Sequence, residues 1–193
     1  KNKETGEEEL MDCQFRTTVD GFPIVLFYKP TSNATPIFIG KYNFNNDKST
    51  EEVYGFKNVK GLDSKNIQCW EFRDNGNGLA LFNDVSNFDE DVKKTFEGRF
   101  PKDNTNTDAL RELATWITNV SQEDFATQKW EHFNVYNLAA YYIYLMRFGA
   151  VDQAVKNSMI TTEDLKHWYF INYDNDTIMG VRNDGYLKFL PDI

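Results

Sequence analysis

Cysteine, histidine and proline are scarce in this chain, whose 193 residues include 2 Cys, 2 His and 5 Pro. Cys13 and Cys69 form neither a CxxC nor a CxxH pattern. That leaves two separate thiols or one incidental bridge, and it argues against a zinc site. His132 and His167 stand alone, so neither a Ser/His/Asp nor a Cys/His constellation is supported. Positive charge is also short: 21 Lys and Arg face 30 Asp and Glu, for a formal net charge of −9. Such a balance disfavours nucleic acid, whose phosphates must be met by Lys and Arg. It suits phosphate chemistry in which a divalent cation brings the positive charge. No apolar run reaches the roughly 18 residues of a membrane span, and no signal-peptide pattern is present. The longest run, Leu138–Met146, stops at Arg147. Asn33-Ala-Thr and Asn119-Val-Ser are glycosylation sequons in form, with no secretion signal to give them meaning.

What is abundant is aromatic side chain: 16 Phe, 10 Tyr and 4 Trp make up 16% of the residues, which predicts an ordered, well-packed protein. The length fits one domain, or one domain of two lobes. Lys1 at the start and Pro191-Asp192-Ile193 at the end read as the bounds of a piece of a longer polypeptide.

The pattern is extended first and helical later. Phe22–Tyr28 reads as a buried strand, Pro30–Pro36 as a turn-rich break, and Ile37–Phe44 as the return strand. Ile67–Phe72 is a further strand, Asp74–Gly78 a Gly-rich turn, and Leu79–Phe82 a short strand. Phe88–Thr107 turns polar. Leu110, Leu113, Ala114, Ile117 and Val120 then fall at helical spacing, which predicts an amphipathic helix over Asp108–Val120. Ser121-Gln-Glu-Asp124 has the form of a helix cap. Val135–Phe148 is apolar nearly all round and reads as a buried central helix stopped at Gly149. The fold class is α+β: a β-rich lobe at about 10–90, a helical lobe at about 105–193, and a cleft between them.

The chemistry sits in the last third. Asp152 follows the Gly149 stop, where a loop would turn it to a ligand, and Asn157 lies five residues on. Met159–Asn172 forms a hairpin around the polar turn Glu163–Lys166, and Asp174 and Asp176 lie at its exit. Because the ends of a hairpin lie close together, Asn157 and Asp174 are expected to be neighbours. A carboxylate near a nucleophile, with an Asn and a carboxylate to hold a cation on the phosphates, is the kit of phosphoryl transfer. The plainer reading, turn and cap residues, stays open on spacing alone. A Ca²⁺ loop is not supported, because no D-x-D-x-D-G run is present. A kinase-type site also needs a Lys on the β-rich lobe, for which Lys41 and Lys48 are candidates, with Glu51, Glu52 or Glu71 as partners. There is no G-x-G-x-x-G ahead of them.

The string Asp20-Gly-Phe-Pro-Ile-Val-Leu-Phe27, followed by Ile39-Gly-Lys-Tyr-Asn-Phe-Asn-Asn-Asp-Lys48, resembles the "GFPI-x-L-[YF] … GLY-x-[LFW]-N-x-x-[DE]K" stretch of the spore-coat-protein H (CotH) kinase-like family. Asn137–Phe148 is similar to the family's "DYYIF" helix, Ala150–Asn157 to its "D-N-x-x-K-N" loop, and Lys166–Thr177 to its "KW-x-x-x-x-YD-x-D-T" segment. The ordered set spans most of residues 17–180. The resemblance implies an atypical protein-kinase-like fold that uses ATP and Mg²⁺ (or Mn²⁺) to phosphorylate protein Ser residues. Carried over by position, Asp152 would be the catalytic acidic residue that orients or deprotonates the acceptor hydroxyl, Asn157 with Asp174 and/or Asp176 the metal ligands, and Lys48 the phosphate-binding Lys. The partner would be a protein substrate or an assembly partner. Gln153 stands where the family often has Asn, and the family's segment upstream of "GFPI" is reduced here to the acidic residues before Phe15. Members also occur as modules of large surface or virion proteins, so a non-catalytic structural or binding module is the alternative.

Overall fold

A computed structural model of the protein describes residues 21–45, 64–73, 82, 84–102 and 104–181, with the side chain of Asp176 outside that set. Two sheets and five helices are formed among the described residues. Strands β1 (Gly21–Tyr28) and β2 (Ile37–Asn45) pair as an antiparallel hairpin, Gly21 opposite Asn45 and Tyr28 opposite Ile37, with a bulge at Leu26/Phe27. The second sheet has four strands in the order β4-β3-β5-β6: β3 is Gln68–Phe72, β4 Phe96–Phe100, β5 Ser158–Thr162 and β6 Trp168–Asn172. All its pairings are antiparallel. It therefore draws strands from both the early and the late parts of the chain.

The two central strands, β3 and β5, are buried at every position. Side chains alternate across a sheet, so each face acquires its own core. On one face Trp70, Phe72, Phe96, Ile160 and Trp168 pack against helices α1 (Phe88–Thr95) and α2 (Asp108–Asn119). Helix α1 contributes Phe88 and Val92, one turn apart, and α2 contributes Ala109, Leu110, Leu113 and Ala114, a stripe along one side. On the other face Ile67, Cys69, Phe100, Met159, Tyr169, Ile171 and Tyr173 form a second cluster. Cys69 there is a free, fully buried thiol beside Thr161, and burial pushes its pKa up to about 12. Cys13 lies outside the described residues.

Helices α3 (Gln122–His132) and α4 (Val135–Phe148) follow. Ser121 opens α3 as expected: its Oγ accepts from the Asp124 amide at 3.0 Å and donates to Oδ2 of Asp124 at 2.7 Å. No residue of α3 is buried, so local interactions carry an unusual share of its stability. Ser121→Ala is expected to cost about 1 kcal/mol, read as a lower denaturant midpoint at unchanged slope.

Gly149 ends α4 with a left-handed φ of 58°, in agreement with the sequence. The expected burial of α4 is corrected. Its one buried residue is Asn137, while Tyr142, Ile143 and Met146 are 62%, 63% and 67% exposed. The reason is placement. Helix α4 lies along the edge strand β6, where the Asn137 side chain donates to the Phe170 carbonyl at 3.0 Å and accepts from the Phe170 amide at 2.7 Å. It thus covers a strand edge, and its opposite side faces outward. The buried reading of Phe22–Tyr28 is likewise corrected: Phe22, Val25, Leu26, Phe27 and Tyr28 are all exposed. Pairing with β2 satisfies the backbone groups along one edge of β1 and covers neither of its faces. Helix α1 and strand β4 arise within the segment read only as polar, because Asp89, Glu90, Asp91, Lys93 and Lys94 hide the spacing of Phe88 and Val92. The Leu79–Phe82 expectation falls largely outside the described residues, with Phe82 alone described.

Candidate functional site

The β5–β6 hairpin builds the site. Its register, from Ser158 opposite Asn172 to Thr162 opposite Trp168, brings the residues just beyond its open end together. The Tyr173 amide donates to the Asn157 carbonyl at 3.1 Å, continuing the ladder by one rung. Beyond that rung Asn157 Nδ2 donates to Asp174 Oδ2 at 3.3 Å. Both residues take the left-handed conformation, with φ of 51° and 54°. Asn and Asp tolerate that region better than other residues with a Cβ. The two side chains expected to converge therefore do.

Asp152 lies in a short helix, α5 (Val151–Val155), rather than in the loop expected of it. The chain re-enters helical geometry directly after the Gly149 stop, with the Lys156 amide donating to the Asp152 carbonyl at 2.7 Å. The Asp152 side chain is 17% exposed and its Oδ2 lies 3.5 Å from Lys156 Nζ. That oxygen is buried and accepts no hydrogen bond. The next residue, Gln153, is 1% exposed and reaches the exit of β6: Nε2 donates to the Asp174 carbonyl at 2.7 Å and the Tyr173 carbonyl at 3.3 Å. The Gln153 carbonyl in turn accepts from the Tyr141 hydroxyl at 2.7 Å. Asp152 and Asp174 are thus one side chain apart in connectivity.

Asn157 and Asp174 border a cavity of about 490 Å³ whose remaining wall comes from Glu71 and Phe72 of β3, Arg73 just beyond it, and Glu97 and Arg99 of β4, with Tyr173 between the two sides. Arg99 Nε donates to Glu71, and its Nη1 lies 3.1 Å from Glu97 Oε1. The Tyr173 hydroxyl donates to the other Glu71 oxygen. Burial acts to lower the Arg99 pKa, but the Glu71 hydrogen bond and the charges of Glu71 and Glu97 outweigh it, so the net shift is upward. The Tyr173 phenol is also held above its ordinary range, first by burial and then by the Glu71 carboxylate. Both groups therefore stay donors at neutral pH.

Other expected site residues lie elsewhere. Lys41 sits in the middle of β2, opposite Val25, exposed and not in the wall of this cavity. Lys48 is outside the described residues. Asp176 belongs to the single turn Asn175–Thr177 directly after Asp174. Sequence reasoning missed Arg73, Glu97, Arg99 and Tyr173, and considered Glu71 only as a partner for Lys. The signal was partial: in Trp70-Glu-Phe-Arg73 the charged residues alternate with the aromatic ones, but in β4 a bulge opposite Cys69/Trp70 breaks the alternation around Arg99.

The fold and site define an α+β domain whose antiparallel sheet and terminal hairpin present an Asn–Asp pair and two arginines to one cavity. The chain belongs to the CotH kinase protein family, whose model matches residues 48–190. That match takes in β3 onward, with Asp152, Asn157, Asp174 and Asp176, and begins at Lys48, so the "GFPI" resemblance lies upstream of it. Among curated proteins, none matches the chain.

Proposed function

We propose that the domain transfers the γ-phosphoryl group of ATP to serine hydroxyls of a protein substrate. The observation that carries this reading is the convergence of Asn157 and Asp174 at one cavity, with the Asp152 helix tied to them through Gln153. Asp152 accepts the proton of the serine hydroxyl as its oxygen forms a bond to the γ-phosphorus. The bond from that phosphorus to the β–γ bridging oxygen breaks, and ADP leaves. In the structure the Asp152 carboxylate is ion-paired with Lys156 at 3.5 Å and lies outside the cavity wall, so this role requires it to turn toward the bound serine.

A carboxylate beside an amide side chain is a hard-oxygen donor set that fits Mg²⁺ or Mn²⁺. Among the described residues no three of His, Cys, Asp or Glu converge on a metal-sized site. Asn157 and Asp174 would hold the cation, with Asp176 the further candidate on the next turn. The cation supplies charge neutralisation on the β- and γ-phosphates. Arg73, exposed at the cavity wall, is placed to meet phosphate oxygens there. It joins Lys41 and Lys48 as a candidate for that role, and a guanidinium suits it through its paired donors.

A second reading, a non-catalytic structural or binding module in a virion or surface protein, is favoured by the exposed apolar residues of β1, β2 and α4. Thermal unfolding separates the two. With ATP and Mg²⁺ at about 100 times the dissociation constant, a ligand that binds only the folded chain stabilises it by about 2.7 kcal/mol and raises the melting temperature. No shift with ATP and either Mg²⁺ or Mn²⁺ would sink the kinase reading and leave the module.

A further inference from the structure

We propose that Tyr173, Glu71 and Arg99 form a positioning relay that fixes the Asp174 carboxylate at the cavity for a divalent cation, an inference that rests on the phosphotransfer reading above. Asp174 lies beyond the last rung of the hairpin, so the β5–β6 ladder no longer holds it. Its left-handed backbone is one that Asp tolerates better than most residues with a Cβ but that still costs energy, so its surroundings bear on its position. Those surroundings can be named. Gln153 donates to the carbonyls of the two peptides that flank Asp174, and Asn157 contacts the carboxylate. A further anchor is the side chain of the preceding residue, Tyr173, which is 7% exposed.

The Tyr173 phenol crosses from the exit of β6 to β3, a separation of 102 residues, and donates to Glu71. Glu71 is itself 5% exposed. A buried carboxylate is tolerated when it is paired and hydrogen-bonded, and here Arg99 binds its second oxygen. Arg99 is oriented in turn by Glu97 at 3.1 Å. The result is a chain of contacts from the edge strand β4, through β3, to the residue next to Asp174. All of its members line the same cavity as Asn157 and Asp174. Strands β3 and β4 are thus placed to set the position of a ligand carried by the hairpin. A phenol–carboxylate bond fixed at both ends restricts the Tyr173 backbone, and a shift there carries Asp174 away from Asn157. Side chains that orient a ligand residue in this way commonly act on metal affinity as strongly as on stability.

The same sheet holds an internal control. Tyr169, buried at 1% exposure, donates to the buried Glu163 at 3.3 Å, away from the cavity. Tyr169→Phe and Tyr173→Phe each delete a buried phenol–carboxylate bond and keep the ring. We expect both to lower the melting temperature of the full chain. Only Tyr173→Phe should weaken Mn²⁺ binding in the presence of ATP, by about 10- to 100-fold, followed by the electron paramagnetic resonance signal of free Mn²⁺. If Tyr173→Phe does not fold, Glu71→Gln serves in its place, because the amide keeps the shape while weakening both contacts. Equal Mn²⁺ affinity in Tyr173→Phe and Tyr169→Phe overturns the relay while leaving the kinase reading intact. Absence of Mn²⁺–ATP binding by the unaltered chain overturns both.

Discussion

Asp152→Ala and Asp174→Ala are both expected to abolish detectable phosphate transfer, through different steps. For Asp152→Ala the turnover number should fall by about 10²- to 10⁴-fold, the range that a positioned proton acceptor contributes, while binding of ATP with Mn²⁺ persists. The Asp152 side chain does not line the cavity that holds Asn157 and Asp174, so its removal leaves the cation donors in place. For Asp174→Ala the loss should appear already in binding. Asn157 then loses the carboxylate that it contacts, and the hard-oxygen pair loses its charged member. Labelled phosphate incorporation at saturating ATP, set beside Mn²⁺ titration of each variant, distinguishes the two. Parallel loss of binding in both variants would show that Asp152 is itself a cation ligand. Undiminished turnover in Asp152→Ala would remove it from the mechanism.

Trp168→Ala is expected to be the most damaging change to the fold. The indole is 1% exposed and packs in the cluster that joins the sheet to α1 and α2. It also lies where the chain entering α4 meets β6: Phe133 bridges to Trp168, and the Asn134 amide donates to the Trp168 carbonyl at 2.9 Å. That backbone bond survives truncation, so the loss is one of packing and cavity formation, about 3–5 kcal/mol. Against a total stability of about 5–15 kcal/mol for a natural domain, this removes a large fraction. Chemical denaturation should show the midpoint falling steeply. A loss below about 1 kcal/mol would mean that the cluster collapses around the vacancy rather than holding its shape.

Local pattern was legible wherever one residue period dominated. The helical spacing at Leu110, Leu113 and Ala114, the cap at Ser121, the stop at Gly149 and the hairpin around Glu163–Lys166 each follow from chemistry within a few residues, and all of them formed. The pairing of Asn157 with Asp174 was legible for the same reason, because a hairpin brings its own ends together. Burial was not legible in this way. Val135–Phe148 is apolar on every side, yet its position over the β6 edge, through Asn137, leaves Tyr142, Ile143 and Met146 outside. The surroundings of Asp174 were hidden more deeply. Glu71 and Tyr173 meet across 102 residues, and nothing near either one announces the other.

The sequence by itself therefore determined helix α4 with its Gly149 stop and the β5–β6 hairpin, though not helix α5 around Asp152, together with the resemblance to the family to which the chain belongs. Periodicity, capping and hairpin closure act over a few residues and are written there directly. Only the tertiary structure decided that β3 and β4 would flank that hairpin and wall the cavity with Arg73, Arg99 and Glu71, and that Gln153 and Tyr173 would hold Asp174 from two sides. The physical reason is that strand pairing and the satisfaction of buried charge are settled between segments far apart in the chain, by which partners remain once both faces of the sheet are covered.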